Sequence, residues 1–309
     1  MTWWEALVLG VIQGITEFFP VSSSGHLVMT QALLGLRLPG IGFEVAVHVA
    51  TLISVLVVYR ERVGKLATGM VRREREAWEY VALLVVATLP AIAVVLAVGD
   101  WMEARFDDPV FAGTMLLVTG SFLWSTRWAR EGRFTPVELV PIGAALLVSV
   151  WAGTVVAFVG VLGLLAVLMG GSRLLARPGE WSTRVGWGGA LAMGIAQSVA
   201  IFPGISRSGS TVVTGLWRRI DPVVAAEFSF LMSVVAITGA AVRSVPEMME
   251  HGLAVEPLPM LIGFVAAAVS GVVAIRFFVL LLKRQNFYQF SWYCWIAGAL
   301  FIAYIRAGS

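Results

Sequence analysis

One pattern occurs twice in the chain, and that duplication limits its architecture more than any other feature. At an offset of 184 residues, Ala6, Leu7, Gly10, Gln13, Phe18, Ser22, Ser24, Gly25 and Val28 fall on Ala190, Leu191, Gly194, Gln197, Phe202, Ser206, Ser208, Gly209 and Val212. Each copy reads as a short helix, a proline break (Pro20 in the first, Pro203-Gly204 in the second), a hydroxyl-rich loop and a second helix. The break follows because proline has no backbone N–H to continue the helix. Composition then identifies the solvent. Of 309 residues, 59% are hydrophobic and only 13% charged, and the mean hydropathy is +0.87, whereas roughly 25% of residues are charged in soluble domains. An integral membrane protein is expected.

In that solvent the duplicated hairpins are too short or too polar for the roughly 20 apolar residues of a full span. Both are expected to be re-entrant, since polar backbone at membrane depth is tolerated only inside protein or along a wet cavity. Spans are predicted at 43–59, 78–98 and 109–126 after the first hairpin, and at 222–242, 258–282 and 289–305 after the second. The fold class is thus an all-α polytopic membrane protein with an inverted-topology repeat, each half one re-entrant helical hairpin plus three transmembrane helices. An odd number of spans between the hairpins inverts the second copy, an arrangement that puts paired broken helices at the midplane. Repeat 1 covers about 1–130 and repeat 2 about 185–309. Between them, the apolar segment 137–176 has no counterpart and is expected to add two spans with a tight turn near Gly153 or Gly160.

Loop charge sets the orientation. Arg60, Arg62, Lys65, Arg72, Arg73 and Arg75 fall in one loop, and Arg127, Arg130 and Arg133, Arg218 and Arg219, and Lys283 and Arg284 in three more. By the positive-inside rule these are cytoplasmic. Asp100, Glu103, Asp107 and Asp108, and then Glu247, Glu250 and Glu256, make the opposite loops acidic. The loops at Thr68 and Asp107 are therefore expected on opposite sides, Thr68 cytoplasmic, with both termini outside. Because the basic residues are dispersed between apolar stretches rather than gathered in one patch, a nucleic-acid partner is excluded despite the net charge of +3. Cys294 is the single cysteine, which excludes a disulfide framework and a cysteine-rich metal site. The N-terminal stretch, with Glu5 and no basic leader, is not expected to be a signal peptide.

The polar residues concentrate in the two hairpins. Gln13 and Glu17 are four apart and share a helix face. Ser22, Ser23, Ser24 and Gly25 form a loop leading into a helix near His26, and the free N–H groups at a helix start favour an anion such as phosphate. An ordinary capped turn with a solvated Glu17 is the plain alternative, but an ionisable group inside an apolar chain is costly and points to function. The copies have diverged: at the same offset Glu17 matches Ile201, Ser23 matches Arg207 and His26 matches Ser210. Arg207 brings a planar fork of donors suited to phosphate oxygens, in place of a merely snorkelling arginine. His48 reads as a packed core histidine and His251 as a solvated one. Glu44 and Glu227, near helix starts, are explained by helix electrostatics.

Gln13-xxx-Glu17 with Pro20-Val-Ser-Ser-Ser-Gly-His26, followed far downstream by Pro203-Gly-Ile-Ser-Arg-Ser-Gly-Ser-Thr211, closely resembles the undecaprenyl-diphosphate phosphatase family, also called the bacitracin-resistance protein family. The likeness extends to Phe43-Glu44, Ala226-Glu227-Phe-Ser-Phe and Lys283-Arg284, and 137–176 is its main departure. The resemblance implies a hydrolase of the bacterial inner membrane that converts undecaprenyl diphosphate to the monophosphate carrier of cell-wall precursors. It implies an outward-facing (periplasmic) site and a divalent cation, magnesium or calcium. Within that reading Ser23 is the expected nucleophile, His26 its base or later proton donor, and Gln13 with Glu17 the cation ligands. Arg207 is the fixed positive charge, and Ser22, Ser24, Gly25, Ser206, Ser208 and Thr211 are the phosphate donors. Exchange of roles between Ser22 and Ser23, attack by His26, and water activated by Glu17 stay open as alternatives. Lipid substrate and membrane lipids are the expected partners, with a homodimer as a further candidate. A transporter or flippase of polyprenyl phosphates is the competing function, since inverted repeats of broken helices also serve alternating access.

Overall fold

A computed structural model describes residues 1–36, 42–103, 108–131, 136–174, 181–251, 255–283 and 287–308. Helix α1 (Trp3–Phe18) starts at a reciprocal cap, in which the Thr2 hydroxyl accepts from the Glu5 N–H while the Glu5 carboxylate accepts from the Thr2 N–H. It ends just ahead of Pro20, and α2 (Ser23–Leu34) begins after a turn in which Ser22 takes φ +68° and accepts from the Gly25 N–H. The second copy repeats this: α10 (Trp187–Val199) is followed by a turn through Gly204 and by α11 (Arg207–Trp217), whose cap is Ser206. The starts of α1 and α10, and of α2 and α11, lie at the same offset as the sequence repeat.

The remaining helices are α3 (Gly42–Val58), α4 (Arg60–Val71), α5 (Arg75–Glu103), α6 (Pro109–Trp124), α7 (Thr126–Glu131), α8 (Val140–Trp151), α9 (Val155–Leu174), α12 (Pro222–His251), α13 (Pro257–Lys283) and α14 (Phe290–Gly308). Among the described residues, five helical stretches are long and apolar enough to cross a membrane: 75–97, 109–129, 222–246, 257–282 and 287–307. These coincide with five of the expected spans. The sixth, at 43–59, is the 17-residue α3, which reaches the required length only when taken with α4, from which it is bent by 80°. Here the sequence expectation needs correction. Residues 60–71, read as a basic loop, are helical, because the run has no internal proline and its polarity marks a surface helix rather than a turn. The segment 137–176 holds two shorter apolar helices, α8 and α9, which turn at Gly153 with φ +72°. The expectations at Asp107, Arg133 and Arg284 lie outside the described residues.

Packing crosses between the two copies. α1 lies on α13, and α10 lies on α5. Small residues permit the approach, as in membrane helix pairs generally. A Cβ added at Gly10 would stand 2.3 Å from the Gly263 carbonyl oxygen, and one at Gly194 would stand 2.3 Å from that of Ala87. α6 is buried along nearly its whole length and packs against α14. Below the first hairpin, the Phe18 ring meets Phe230 edge-on at 5.4 Å, and Phe230 in turn meets Phe278 at 5.7 Å.

Candidate active site

The two broken hairpins meet at their breaks. The Ser208 hydroxyl donates to the Phe19 carbonyl at 3.0 Å, and a Cβ at Gly25 would come within 3.0 Å of Gly204 Cα. α6 holds the second turn from behind, since the Thr119 hydroxyl donates to the Gly204 carbonyl at 2.8 Å and accepts from the Ser206 N–H at 3.1 Å. This clamp places the first residues of α2 and α11 side by side. Helix starts present free N–H groups and the positive end of the helix dipole, so their convergence suits an anion.

Glu17 is the hub. One carboxylate oxygen accepts from Arg207, joining the two copies in a single ion pair. The other accepts from the Ser23 hydroxyl at 2.6 Å and from the Gln13 amide at 2.9 Å, with His48 Nε2 at 3.8 Å. The Glu17 and Arg207 side chains are 5% and 16% exposed, so the pair is largely withdrawn from water. Only one Arg207 terminal nitrogen is used by Glu17, and the second, Nη1, is buried without a hydrogen-bond partner. A buried, unpaired guanidinium nitrogen costs desolvation energy unless something occupies it, and a phosphate oxygen is the natural complement.

His26 does not touch Ser23. Its Nδ1 lies 2.8 Å from the Ser22 carbonyl, to which it donates, and Nε2 therefore accepts from the Tyr293 hydroxyl at 2.7 Å. The Tyr293 ring stacks on the imidazole with centroids 5.6 Å apart. The expected pairing of Ser23 with His26 is thus replaced by Ser23 with Glu17. Tyr293 and His48 were not found by sequence reasoning: Tyr293 stands 267 residues from His26 in a featureless apolar span, and His48 lies on the 30%-exposed rim of the site rather than in the core.

The hydroxyls divide by accessibility. Ser23 and Ser24 are partly exposed, whereas Ser22, Ser206, Ser208 and Thr211 are buried. Ser22 and Ser206 accept from the Gly25 and Gly209 N–H groups as helix caps. Thr211 donates to the Arg207 carbonyl at 2.8 Å and shares a 2.6 Å bond with Ser229. These four, expected as phosphate donors, are engaged within the protein and hold the loops that carry Ser23 and Arg207. Glu44 accepts from Gln31 at 3.0 Å through its side chain while its carbonyl lies 2.7 Å from His48 Nδ1, and Glu227 accepts from Arg62 at 3.0 Å.

The fit of a divalent cation rests on Gln13, which is fully buried with its amide oxygen unpartnered. That oxygen and the Glu17 carboxylate, which the Gln13 nitrogen contacts at 2.9 Å, are the two oxygen groups that a cation would find here. Among the described residues, no three His, Cys, Asp or Glu side chains gather as a cage. Such a set suits magnesium, which is commonly held by one or two protein oxygens and completed by substrate phosphates and water.

A helical membrane protein whose two broken hairpins close around one buried acid, one arginine and an accessible serine is, by class, a membrane protein with an anion-binding centre. The family model described as bacitracin resistance protein BacA matches residues 6–173 and 137–300, and the chain belongs to that family. It is 32% identical to an undecaprenyl-diphosphatase of Desulfatibacillum aliphaticivorans, covering 97% of each chain. Undecaprenyl-diphosphatases of Alkaliphilus metalliredigens and Salinibacter ruber are each 34% identical, with 98% and 97% of this chain covered, and 99% and 98% of theirs.

Proposed function

We propose that this protein hydrolyses undecaprenyl diphosphate to undecaprenyl phosphate and inorganic phosphate, and thereby confers bacitracin resistance. The observation that carries the chemistry is the 2.6 Å bond from the Ser23 hydroxyl to Glu17, itself paired with Arg207. A serine hydroxyl bonded to a carboxylate has a proton acceptor in place. Ser23 Oγ attacks the terminal phosphorus, its proton passes to Glu17, and the bond to the bridging oxygen breaks with release of undecaprenyl phosphate. Water then attacks the phosphorus of the phosphoserine, the Ser23 Oγ–P bond breaks, Glu17 returns its proton to Ser23, and inorganic phosphate leaves. Arg207 holds the transferred group through Nη1 while keeping Glu17 in position. His26, its two ring nitrogens engaged by the Ser22 carbonyl and the Tyr293 hydroxyl, positions the loop that carries Ser23. Gln13 and Glu17 are the residues that would hold a divalent cation, which would supply charge neutralisation, the main demand of phosphoryl transfer.

Phosphate release by detergent-purified protein from undecaprenyl and farnesyl diphosphates, with and without chelator, tests this reading. Release is expected to stop with chelator and to return with excess magnesium or calcium. No release under any condition would refute the hydrolase, and release indifferent to chelator would refute the cation.

The inverted repeat belongs to the same proposal. Support comes from the matched starts of α1 with α10 and α2 with α11, and from the reciprocal packing of α1 on α13 and α10 on α5. The hairpins are then re-entrant, the site faces the periplasm and the basic α4 faces the cytoplasm of the inner membrane. Thr68 is exposed on α4, and Glu256 is exposed just before α13. In a Cys294→Ser background, single cysteines at these positions should react oppositely with an impermeant thiol reagent in intact cells, Glu256 labelling and Thr68 not. Equal labelling would contradict the inversion.

A further inference from the structure

α3 and α13 pack along a seam whose outer face is apolar and whose end is basic. Ile53 and Val57 of α3, with Val269 and Val273 of α13, line a groove of about 270 Å³ on that face. All four are well exposed at the bundle surface, at 38%, 42%, 61% and 62%. The polar group in the groove, Ser54, turns away and donates to the Ala268 carbonyl at 2.8 Å. Val57 also borders a second cavity of about 410 Å³ at the α3–α4 bend, where Arg60, Arg62, Lys65 and Arg276 stand against one carboxylate, Glu61. The groove and the basic cavity thus share a wall.

The four cations differ. Arg62 is engaged by Glu227 at 3.0 Å and lies over the Tyr80 ring at 4.4 Å. Arg60, Lys65 and Arg276 form no ion pair among the described residues. Arg276 is the telling one. It is exposed on α13 one turn beyond Val273, on the face that carries Val269 and Val273, and seven residues before the helix ends at Lys283. An arginine on a lipid-facing helix surface is expensive unless its head reaches the interface or meets a negative charge. The 80° turn into α4 brings Arg60 and Lys65 to the same place.

We propose that this seam binds an anionic glycerophospholipid, with its phosphate in the cavity among Arg60, Lys65 and Arg276 and one acyl chain in the groove along Val57, Val269 and Val273. Charge selects the occupant: with Arg62 paired to Glu227, Arg60, Lys65 and Arg276 still outnumber Glu61 by two, which disfavours a zwitterionic headgroup's choline, and the guanidinium of Arg276 can grip phosphate oxygens through parallel donors. Basic pockets between membrane helices bind such headgroups in general. The site is separate from the catalytic hub, which lies on the other side of α3, where His48 faces Glu17.

The test is lipid retention by the full chain in neutral detergent, measured by native mass spectrometry after titration with phosphatidylglycerol or phosphatidylcholine of matched acyl chains. Wild type is expected to retain phosphatidylglycerol at least about tenfold better. Arg60→Gln/Lys65→Gln/Arg276→Gln should erase that preference, and Val57→Trp, which fills the groove and leaves every charge, should weaken retention of phosphatidylglycerol about tenfold. Inorganic phosphate at millimolar concentration should not displace the lipid; displacement would mean an anion site without a chain groove and would overturn the proposal. Equal retention of both lipids by wild type, an undiminished preference in the triple variant, or undiminished retention by Val57→Trp would also overturn it, as would selective displacement by undecaprenyl phosphate at equal concentration. A monodisperse size-exclusion profile certifies each variant as folded, and Val57→Trp carries the test by itself should the triple variant not fold.

Discussion

Arg207→Ala is expected to lose on the order of 100-fold to 1000-fold in catalytic efficiency for phosphate release, with Arg207→Lys recovering only a small part of that loss. Removing one partner of a buried charge pair costs about 3–5 kcal/mol, and about 1.4 kcal/mol corresponds to a tenfold change in rate. Arg207 has two tasks at once: one terminal nitrogen bonds Glu17, and Nη1 is left buried and open for a phosphate oxygen. Lysine offers a single ammonium that cannot stand in both positions. Phosphate release by both variants, in one detergent at one cation concentration and with size-exclusion profiles matched to wild type, decides the matter. Near-normal activity of the lysine variant would reduce Arg207 to a diffuse electrostatic attractor, and near-normal activity of the alanine variant would remove the second hairpin from the active site.

Ser23→Ala is expected to abolish turnover while the lipid diphosphate still binds, because in the proposed reaction the hydroxyl attacks rather than holds. Ser22 is the internal control, being 3% exposed and occupied as the cap of α2 through the Gly25 N–H. Loss of such a cap costs typically about 1 kcal/mol of stability, so Ser22→Ala should lower the melting temperature and retain most of the activity. Binding is read by retention of a labelled diphosphate lipid, and turnover by phosphate release. An inactive Ser22→Ala beside an active Ser23→Ala would reverse the assignment, and two active variants would point to water or His26 as the attacking group.

Much of this arrangement was legible from residue pattern alone, because its determinants are local. The breaks at Pro20 and Pro203 and the apolar lengths of α5, α6, α12, α13 and α14 are written in consecutive residues. The divergence of the two copies assigned the acid to one hairpin and the arginine to the other, but not the ion pair between them. What escaped was set by distant packing. Nothing near Tyr293 marks it as the partner of His26, and His48 reaches Glu17 only because α3 leans on the seam between α1 and α13. The bend at Tyr59 escaped for a different reason: hydropathy reports where an apolar run stops and does not report whether the chain beyond it stays helical.

The crossed packing has a bearing on how the molecule is made. α1 rests on α13 through Gly10, where no side chain fits between the helices, yet α13 leaves the ribosome only after more than two hundred further residues. At roughly 5–20 residues per second, the hairpin bearing Gln13 and Glu17 exists for tens of seconds without the helix that shields it. During that interval its polar groups must be sheltered by something other than their final neighbour. The acid that later serves the bound phosphate is, for the nascent chain, the group that most resists release into lipid, and its arginine partner is synthesised among the later helices as well.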